Sequence, residues 1–470
     1  MPHTEPDTLS AHLDADHDAA VQRLMDFLRI PSVSTDPAFA TDVRRGAGWV
    51  QAQLEELGFD VELVDAAGGH PAVLARSTGA ITSAEASTRV LFYGHYDVQP
   101  PDPLGGWSSP PFEPVIREGR TPGDGPAVYA RGACDDKGQV MMFIEALRAY
   151  RATGTPLPCH VTLLIEGEEE CGSKTLPQIL KQRLDDLRAD VAVVSDTGMW
   201  DPHTVAITYG LRGLVYFDVK LHGPERDLHS GVYGGTLANP ATVLARVLGS
   251  LFDADNRITI PGFYDDVAEL TDDERAQWAA LDYDEAAFLG AVGSAPTGEA
   301  GFSTLERRWS RPACDVNGLY GGYMGEGAKT VIPAVAGAKV SFRIPGNMDP
   351  AKVAAQFRQW LDDQPASLMG GCRWELEEHG QADPVLVSRD SPHVRAAAAA
   401  IAQATGRPPA LVREGATIPV IADLQAELGL ETLLIGFGLN SDDIHSPDEH
   451  FGLRRFLMGA KTHAALLARL

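Results

Sequence analysis

Positively charged residues are scarce in this chain of 470 amino acids. It contains 39 lysines and arginines against 65 aspartates and glutamates, which gives a formal net charge of −26. Such an excess of negative charge repels the phosphates of DNA and RNA, so the chain is not expected to bind nucleic acid. Solubility is the simplest explanation of the acidity, and a pocket for metal ions or cationic substrates is the alternative.

Long apolar runs and paired cysteines are also missing. No stretch approaches the roughly 20 apolar residues of a membrane span, and residues 1–18 lack the basic start and apolar run of a secretory signal. The five cysteines are scattered and form no CxxC pair, which argues against a disulfide framework and against a structural zinc site. The sequence therefore predicts a cytoplasmic protein with no membrane partner.

Short apolar runs alternate with helical patterns in much of the chain. Helices are predicted over 16–30 and 46–57, because apolar side chains there recur on one helical face. Four runs are apolar without alternation, as expected of parallel strands buried on both faces: 90–93, 161–165, 191–194 and 432–435. This order predicts an α/β fold, with a mostly parallel sheet covered by helices.

The middle of the chain follows a different pattern. Apolar and polar residues alternate over 215–221 and 340–344, which is typical of antiparallel strands with one face exposed to water. A helical pattern over 351–361 accompanies them. We therefore predict an inserted α+β domain at 210–383, between a first part of the α/β domain at 1–209 and a second part at 384–470.

Histidines and acidic residues follow the four predicted parallel strands, and Asp135 stands at the start of a predicted helix. Since the carboxyl ends of parallel strands meet at one edge of a sheet, these side chains are expected to converge. One histidine or one acidic run would more often belong to the surface, but the joint pattern favours bound cations, because clustered carboxylates need neutralisation. Mixed nitrogen and oxygen ligands suit Zn²⁺ or Mn²⁺.

A series of short motifs makes the prediction more specific. They are GHYDVQP at 94–100, RGACDDKG at 131–138, EGEEECGS at 166–173, SD at 195–196, LHSGVYGG at 228–235, KTVIP at 329–333, REGATIP at 413–419 and HSP at 445–447. In these motifs, and in their order along nearly the whole chain, the sequence resembles the M20 family of metallopeptidases. Within that family it is most similar to the carnosinase-like cytosolic dipeptidases.

The resemblance implies two divalent metal ions per chain, Zn²⁺ or Mn²⁺. His95 and Asp196 would bind one ion, Glu170 and His445 would bind the other, and Asp135 would bridge both. Such a bridging carboxylate suits ions about 3.5–4 Å apart.

The remaining roles also come from the resemblance. Glu169 would be the general base, and Asp97 would orient His95. In the family, the inserted domain is a lid that forms a homodimer, and its histidine, here His229, assists the partner subunit's site. Three further positions match residues that bind the small peptide substrate: Thr330, Arg343 and Thr417.

The sequence departs from the family pattern at Cys171, where serine is common, and at Ala416, which stands in a stretch that usually reads Gly-Gly-Ser. Neither change removes a ligand, but the second is expected to alter substrate choice. Deacylation of N-acyl amino acids and aminopeptidase-like cleavage stay open as alternatives to dipeptide hydrolysis. A non-enzymatic binding protein is disfavoured, because a pure binder needs no base such as Glu169. A cysteine nucleophile at Cys134 or Cys171 is disfavoured as well, since neither residue lies in a Cys–His signature.

Overall fold

The computed structural model describes residues 5–470, which form two compact units. The first unit runs to Tyr209 and also contains Val387–Val412 and Asp423–Leu470. The second unit contains Gly210–Leu386 and, in addition, Arg413–Ala422. The three-part division at 1–209, 210–383 and 384–470 stays a prediction, and it does not anticipate the short segment Arg413–Ala422.

The β-strands are distributed over both units. In chain order they are β1 Phe59–Val64, β2 Ala72–Ser77, β3 Arg89–His95, β4 Val115–Glu118, β5 Pro126–Tyr129, β6 His160–Glu166, β7 Val191–Val194, β8 Ala206–Leu211, β9 Gly213–His222, β10 Leu228–His229, β11 Ala313–Gly321, β12 Val331–Ile332, β13 Val335–Ile344, β14 Arg373–Ala382, β15 Val385–Leu386, β16 Ala410–Glu414, β17 Glu431–Leu434 and β18 His450–Gly452.

The helices range from single turns to 17 residues. They are α1 Glu5–Ala15, α2 His17–Leu28, α3 Ala40–Glu56, α4 Lys137–Thr153, α5 Leu176–Gln182, α6 Ser230–Tyr233, α7 Pro240–Gly249, α8 Asp272–Ala279, α9 Glu285–Gly290, α10 Thr304–Trp309, α11 Pro350–Asp362, α12 Ala366–Met369, α13 Pro392–Thr405, α14 Pro419–Leu428 and α15 Leu453–Leu467. Over residues 5–470, none of these helices has both the length and the apolar character needed to cross a bilayer.

The first unit is built on a sheet in the order β1-β2-β6-β3-β7-β17-β8. Strand β3 lies parallel to both β6 and β7, and β17 lies parallel to β7. These are the four apolar runs predicted as buried parallel strands, and their side chains are almost entirely buried. The predicted α/β fold is therefore confirmed, and the carboxyl ends of the four strands lie at one edge.

Helix α4 begins at Lys137, two residues after the predicted ligand Asp135, and packs deep in the first unit. Nearly all of its residues as far as Tyr150 are buried, and it ends at Gly154 in a left-handed conformation with φ 68°. The buried ammonium of Lys137 donates hydrogen bonds to the carbonyl of Phe27 (3.3 Å), in the last turn of α2, and to that of Ile30 (2.6 Å), just beyond the helix. The start of α4 is thus fixed against its surroundings.

Helix α3 begins six residues earlier than the predicted helix at 46–57. Its first turns contain the polar residues Thr41, Asp42, Arg44 and Arg45, so apolar periodicity does not reveal them. Only Val43 among these early residues is buried, and it extends the apolar face.

The second unit contains an antiparallel sheet in the order β11-β13-β9-β14. Residues of β9 are alternately buried and part-exposed along its whole length, as the sequence pattern predicts. The buried side chains of β9 and β13 pack with those of α7 and α11 in one core, which includes Phe217, Val247, Phe342 and Phe357. The opposite face of the sheet carries polar side chains.

Candidate metal centre

The five predicted metal ligands come together in two groups within the first unit. His95, Asp135 and Asp196 form one group, and Asp135, Glu170 and His445 form the other. Within each group the potential donor atoms all lie within 4.8 Å of one another. Asp135 belongs to both groups, as a bridging ligand would.

The parallel strands explain why these residues converge. His95 ends β3, Asp196 lies two residues beyond the end of β7, and Glu170 lies in a 3₁₀ turn just after β6. His445 lies in the loop after β17. Neighbouring strands thus deliver these four side chains to the same edge of the sheet, and the start of α4 adds Asp135.

Asp135 presents one carboxylate oxygen to each histidine. Its Oδ1 lies 3.0 Å from Nε2 of His95, and its Oδ2 lies 2.9 Å from Nε2 of His445. Nε2 of His95 is also 4.0 Å from Oδ2 of Asp196, and Nε2 of His445 is 3.2 Å from Oε2 of Glu170. Nitrogen and carboxylate oxygen donors at such separations fit a pair of borderline cations such as Zn²⁺ or Mn²⁺.

Without cations, Asp196 and the histidines of the cluster hold protons at neutral pH. Burial, and after it the charge of Asp135, raises the pKa of Asp196 to about 8. Hydrogen bonds with Asp135 and Glu170 raise the pKa of His445 to about 10. Burial by itself raises the pKa of Asp135, but hydrogen bonds with His445 and His95 outweigh it and lower the pKa overall. The donor set therefore needs positive charge, and divalent ions would displace these protons.

Asp97 supports the cluster from behind in two ways. Nδ1 of His95 lies 3.0 Å from the carbonyl oxygen of Asp97 and 3.3 Å from its Oδ1, which leaves Nε2 directed at the cluster. The carboxylate of Asp97 also accepts the backbone N–H of Glu169 (3.2 Å) and that of Glu170 (3.1 Å). The role of Asp97 in orienting His95 stays a prediction, and its contacts with the backbone of Glu169 and Glu170 were not anticipated.

Glu169 stands beside the predicted ligand Glu170 in the same turn. Among the residues that the structure describes, none donates a hydrogen bond to the Glu169 carboxylate, so its oxygens are available to an incoming proton donor. Burial raises the pKa of Glu169; the charge of His95 opposes this rise, and that of Glu170 adds to it. A free carboxylate with a raised pKa suits a general base.

Comparison with known proteins identifies the chain's relatives. The model of peptidase family M20/M25/M40 matches residues 91–469. This chain belongs to that family. It is 33% identical to the Cys-Gly metallodipeptidase dug1 of Schizosaccharomyces pombe, over 97% of this chain and 96% of the relative. It is 31% identical to the Beta-Ala-His dipeptidase of Homo sapiens, over 97% of this chain and 90% of the relative.

Solved structures agree with these relationships. Human carnosine dipeptidase 1 matches this M20 family member with a TM-score of 0.77 and 30% identity, over 100% of this chain and 99% of the other. The M20 metallo-carboxypeptidase Sso-CP2 of Sulfolobus solfataricus matches with a TM-score of 0.78 and 30% identity, over 96% and 98%. The resemblance to the carnosinase-like branch, which the sequence motifs indicated, is therefore confirmed.

The four predicted substrate-binding residues of this M20 family member lie in the second unit and form two pairs. Thr330 accepts the backbone N–H of Ser230 (3.1 Å) at its carbonyl, directly beside His229 on the β10–β12 ladder. Arg343 donates from Nη1 to Oγ1 of Thr417 (2.7 Å). Their roles in binding stay predictions.

Two supporting residues were missed by the sequence reasoning. Gln99 donates from Nε2 to Oε2 of Glu170 (2.8 Å), and the buried Glu449 accepts hydrogen bonds from the loop before α4, including the N–H of Asp135 (3.1 Å). Gln99 lies within the quoted 94–100 motif, so its position was a usable signal. Glu449 follows the HSP motif at 445–447 by two residues, and no local pattern distinguishes it from a surface acid.

Cys134 and Cys171 are free thiols near the predicted ligands. Burial raises the pKa of the Cys134 thiol well above its usual value, followed by the charge of Asp442, whose carboxylate lies 3.4 Å from Sγ. Burial is also the largest cause of the raised pKa of Cys171. Since the thiolate is the nucleophile, these environments disfavour a cysteine mechanism.

Proposed function

We propose that this chain is a di-metal hydrolase that cleaves the amide bond of dipeptides or short peptides. The observation that carries the proposal is the position of Asp135, with one oxygen beside each of two imidazoles. Its similarity to relatives named as Cys-Gly and Beta-Ala-His dipeptidases supports dipeptides as the substrate class. The cytoplasmic location stays a prediction.

In the proposed centre, His95 and Asp196 hold one ion and Glu170 and His445 hold the other, with Asp135 shared. The ions would be Zn²⁺ or Mn²⁺. When bound, two such ions lower the pKa of water and polarise the substrate carbonyl.

Glu169 carries the proton transfers in this proposal. Its carboxylate takes a proton from the attacking water and returns it to the nitrogen of the leaving amine. Asp97 fixes the backbone of Glu169 and Glu170, so the base keeps its place beside the ligands while the proton moves. The carbonyl of Asp97 holds the ring of His95 at the same time.

The first test of the proposal is hydrolysis by the metal-loaded enzyme of a panel containing Cys-Gly, β-Ala-His, longer peptides and N-acetyl amino acids. Faster cleavage of the dipeptides supports the proposal. Cleavage of the N-acetyl amino acids alone would assign the chain to deacylases, and no cleavage of any amide substrate would contradict a hydrolase.

Arg343 is the proposed contact for the free carboxylate of the substrate. Its guanidinium forms no ion pair with a carboxylate of residues 5–470, and Nη1 is held by Thr417, which in turn donates to the carbonyl of Arg212 (2.6 Å). An arginine that is fixed in orientation but lacks an acidic partner suits a carboxylate from a ligand.

We predict that dipeptides with a free carboxylate are cleaved more efficiently than their amides, by roughly 10- to 100-fold in kcat/KM, the equivalent of one charge-assisted hydrogen-bonded contact. Arg343→Gln should reduce this difference by slowing cleavage of the free acid alone. The matched control is Arg373→Gln, which removes the same charge from an exposed position on β14. Equal rates for acid and amide with the unaltered enzyme would contradict the assignment.

We also propose a homodimer, in which His229 assists the partner subunit's site. Large apolar side chains are exposed at two places on the second unit. Val232 (66% exposed) lies three residues after His229, and Leu319 (66%) lies on the edge strand β11. Exposed apolar surface of this kind is typical of protein–protein contacts.

The hydrogen bonding of His229 supports a role as a donor. Its Nδ1 accepts the backbone N–H of Gly231 (2.9 Å), so the neutral ring carries its proton on Nε2. The side chain is exposed. An N–H that is oriented in advance in this way is the type of group that stabilises a tetrahedral oxyanion.

Mixed dimers test this role. His229→Ala alone should lower kcat by about 10²–10³-fold, the usual cost of one oxyanion donor. Subunits with His229→Ala mixed with subunits carrying Glu169→Gln should regain activity, because one site in each heterodimer has both groups. The control pairs Glu169→Gln with Asp135→Asn. Each of these substitutions disables the site of its own subunit, so both sites of the heterodimer stay defective and activity should not return. A fully active monomer would contradict the proposal.

A further inference from the structure

The carboxylate of Glu449 is fully buried in the first unit and accepts four hydrogen bonds. Oε1 accepts the backbone N–H of Cys134 (2.9 Å) and of Asp135 (3.1 Å). Oε2 accepts the backbone N–H of Gly132 (2.8 Å) and Nη1 of Arg131 (2.8 Å). All four donors belong to the five-residue loop 131–135, and three of them are backbone N–H groups, so this one carboxylate holds the loop backbone at three points.

The last residue of this loop is Asp135, the carboxylate shared by both ligand groups. Its position depends on the loop backbone, because the side chain of Asp has only two rotatable bonds between Cα and its oxygens. A carboxylate that accepts the Asp135 N–H and that of the preceding residue therefore limits where the oxygens of Asp135 can lie.

Glu449 is also tied to the opposite ligand. It follows His445 by four residues, and Asp448 between them is firmly held: its carboxylate accepts the N–H (2.8 Å) and hydroxyl (2.6 Å) of Ser108 and Nη2 of Arg120 (2.8 Å). The segment 445–449 thus carries one ligand at its start and the support of another ligand at its end. His445 Nε2 and Asp135 Oδ2, the two atoms concerned, lie 2.9 Å apart.

We propose that Glu449 is a positioning residue of the metal centre, which holds Asp135 in register with His445 before either ion binds. The inference rests on the proposed di-metal function. Glu449 contacts the backbone of Asp135 rather than the ions, so it acts by reducing the rearrangement that metal binding requires. Supporting groups of this kind typically change metal affinity about 10- to 100-fold.

The test compares Glu449→Gln with Glu145→Gln in metal-free protein titrated with Zn²⁺ and Mn²⁺ against a chromophoric chelator. A glutamine amide has a single acceptor oxygen, so at least two of the four donors lose their partner. Glu145 is a matched control, because it is also a buried carboxylate and accepts Nε (2.8 Å) and Nη2 (2.6 Å) of Arg23 without touching the ligand groups.

We expect the affinity for both ions to fall about 10- to 100-fold in Glu449→Gln and to stay unchanged in Glu145→Gln, while thermal denaturation shows a loss of stability in both. An unchanged affinity in folded Glu449→Gln overturns the inference, as does an equal loss of affinity in the two variants. A wild-type protein that binds no metal would instead overturn the proposed function.

Hydrogen exchange on the wild-type protein provides a second measurement that needs no variant. If Glu449 orders the loop without metal, the N–H groups of Gly132, Cys134 and Asp135 exchange slowly in metal-free protein. Rapid exchange that slows only when Zn²⁺ or Mn²⁺ is added would mean that the ions order the loop, and the inference would be wrong.

Discussion

Glu169→Gln should lower kcat by about 10²–10⁴-fold while both metal ions stay bound. The substitution keeps the size of the side chain and removes its ability to accept and return a proton. The metal ligands are untouched, and the Glu169 N–H that holds the turn to Asp97 belongs to the backbone. Metal content and steady-state rates, measured on the same preparation, check both halves of the prediction.

The neighbouring Glu168 offers a control in the same motif. Its buried carboxylate accepts the backbone N–H groups of His70 (3.1 Å) and Thr175 (3.1 Å) and the hydroxyl of Thr175, so it has a structural role. Glu168→Gln should lower thermal stability and reduce turnover far less than Glu169→Gln. If Glu169→Gln kept the wild-type rate, another group would have to be the base.

Removing the metal ions should reduce hydrolysis below detection, and Mn²⁺ or Zn²⁺ should restore it. The reason is chemical: without cations, Asp196 and the two histidines retain protons. Glu169 remains, but no cation then lowers the pKa of water or polarises the substrate carbonyl. Chelation followed by dialysis and stepwise addition of metal measures this, and two equivalents per chain are expected at full recovery.

Asp135→Asn extends the same prediction to a single residue. An amide carries one acceptor oxygen and no charge, so it cannot serve both ligand groups. The affinity for both ions should therefore fall together. Asp196→Asn is the comparison. Asp196 belongs to one ligand group only, so this substitution should weaken the binding of one ion more than that of the other. Activity that survives exhaustive chelation would rule out the proposed chemistry.

The sequence predicted the structure best at the buried parallel strands, where the local pattern of apolar residues reflects their place in the sheet. The runs at 90–93, 161–165, 191–194 and 432–435 are short and apolar without alternation, as expected of strands buried on both faces of a sheet. Their order then implied which polar residues share an edge, and the structure places those residues in two ligand groups. The family motifs added the roles of the residues, which composition and periodicity do not contain.

Contacts between segments that are distant in the chain could not be predicted from local patterns or motifs. Glu449 lies more than 300 residues from the loop it supports, and nothing in its neighbourhood marks it as buried. The family resemblance assigned Asp97 to His95, but the contacts of Asp97 with Glu169 and Glu170 depend on how β3 and β6 end side by side. The segment Arg413–Ala422 belongs to the second unit although its flanking residues belong to the first.

The backbone at position 445 restricts which substitutions this loop can accept. His445 has φ 59°, and Asp443 and Asp448 on either side have φ 56° and 62°. In this left-handed region, histidine, aspartate and asparagine are several-fold enriched among non-glycine residues, whereas β-branched and bulky side chains are strongly disfavoured. Histidine is therefore a strong metal ligand that also tolerates the left-handed backbone at position 445. Glutamate or cysteine at this position would destabilise the loop backbone in addition to changing the metal affinity. Variation among relatives at 443, 445 and 448 should accordingly stay within this small set of residues and glycine.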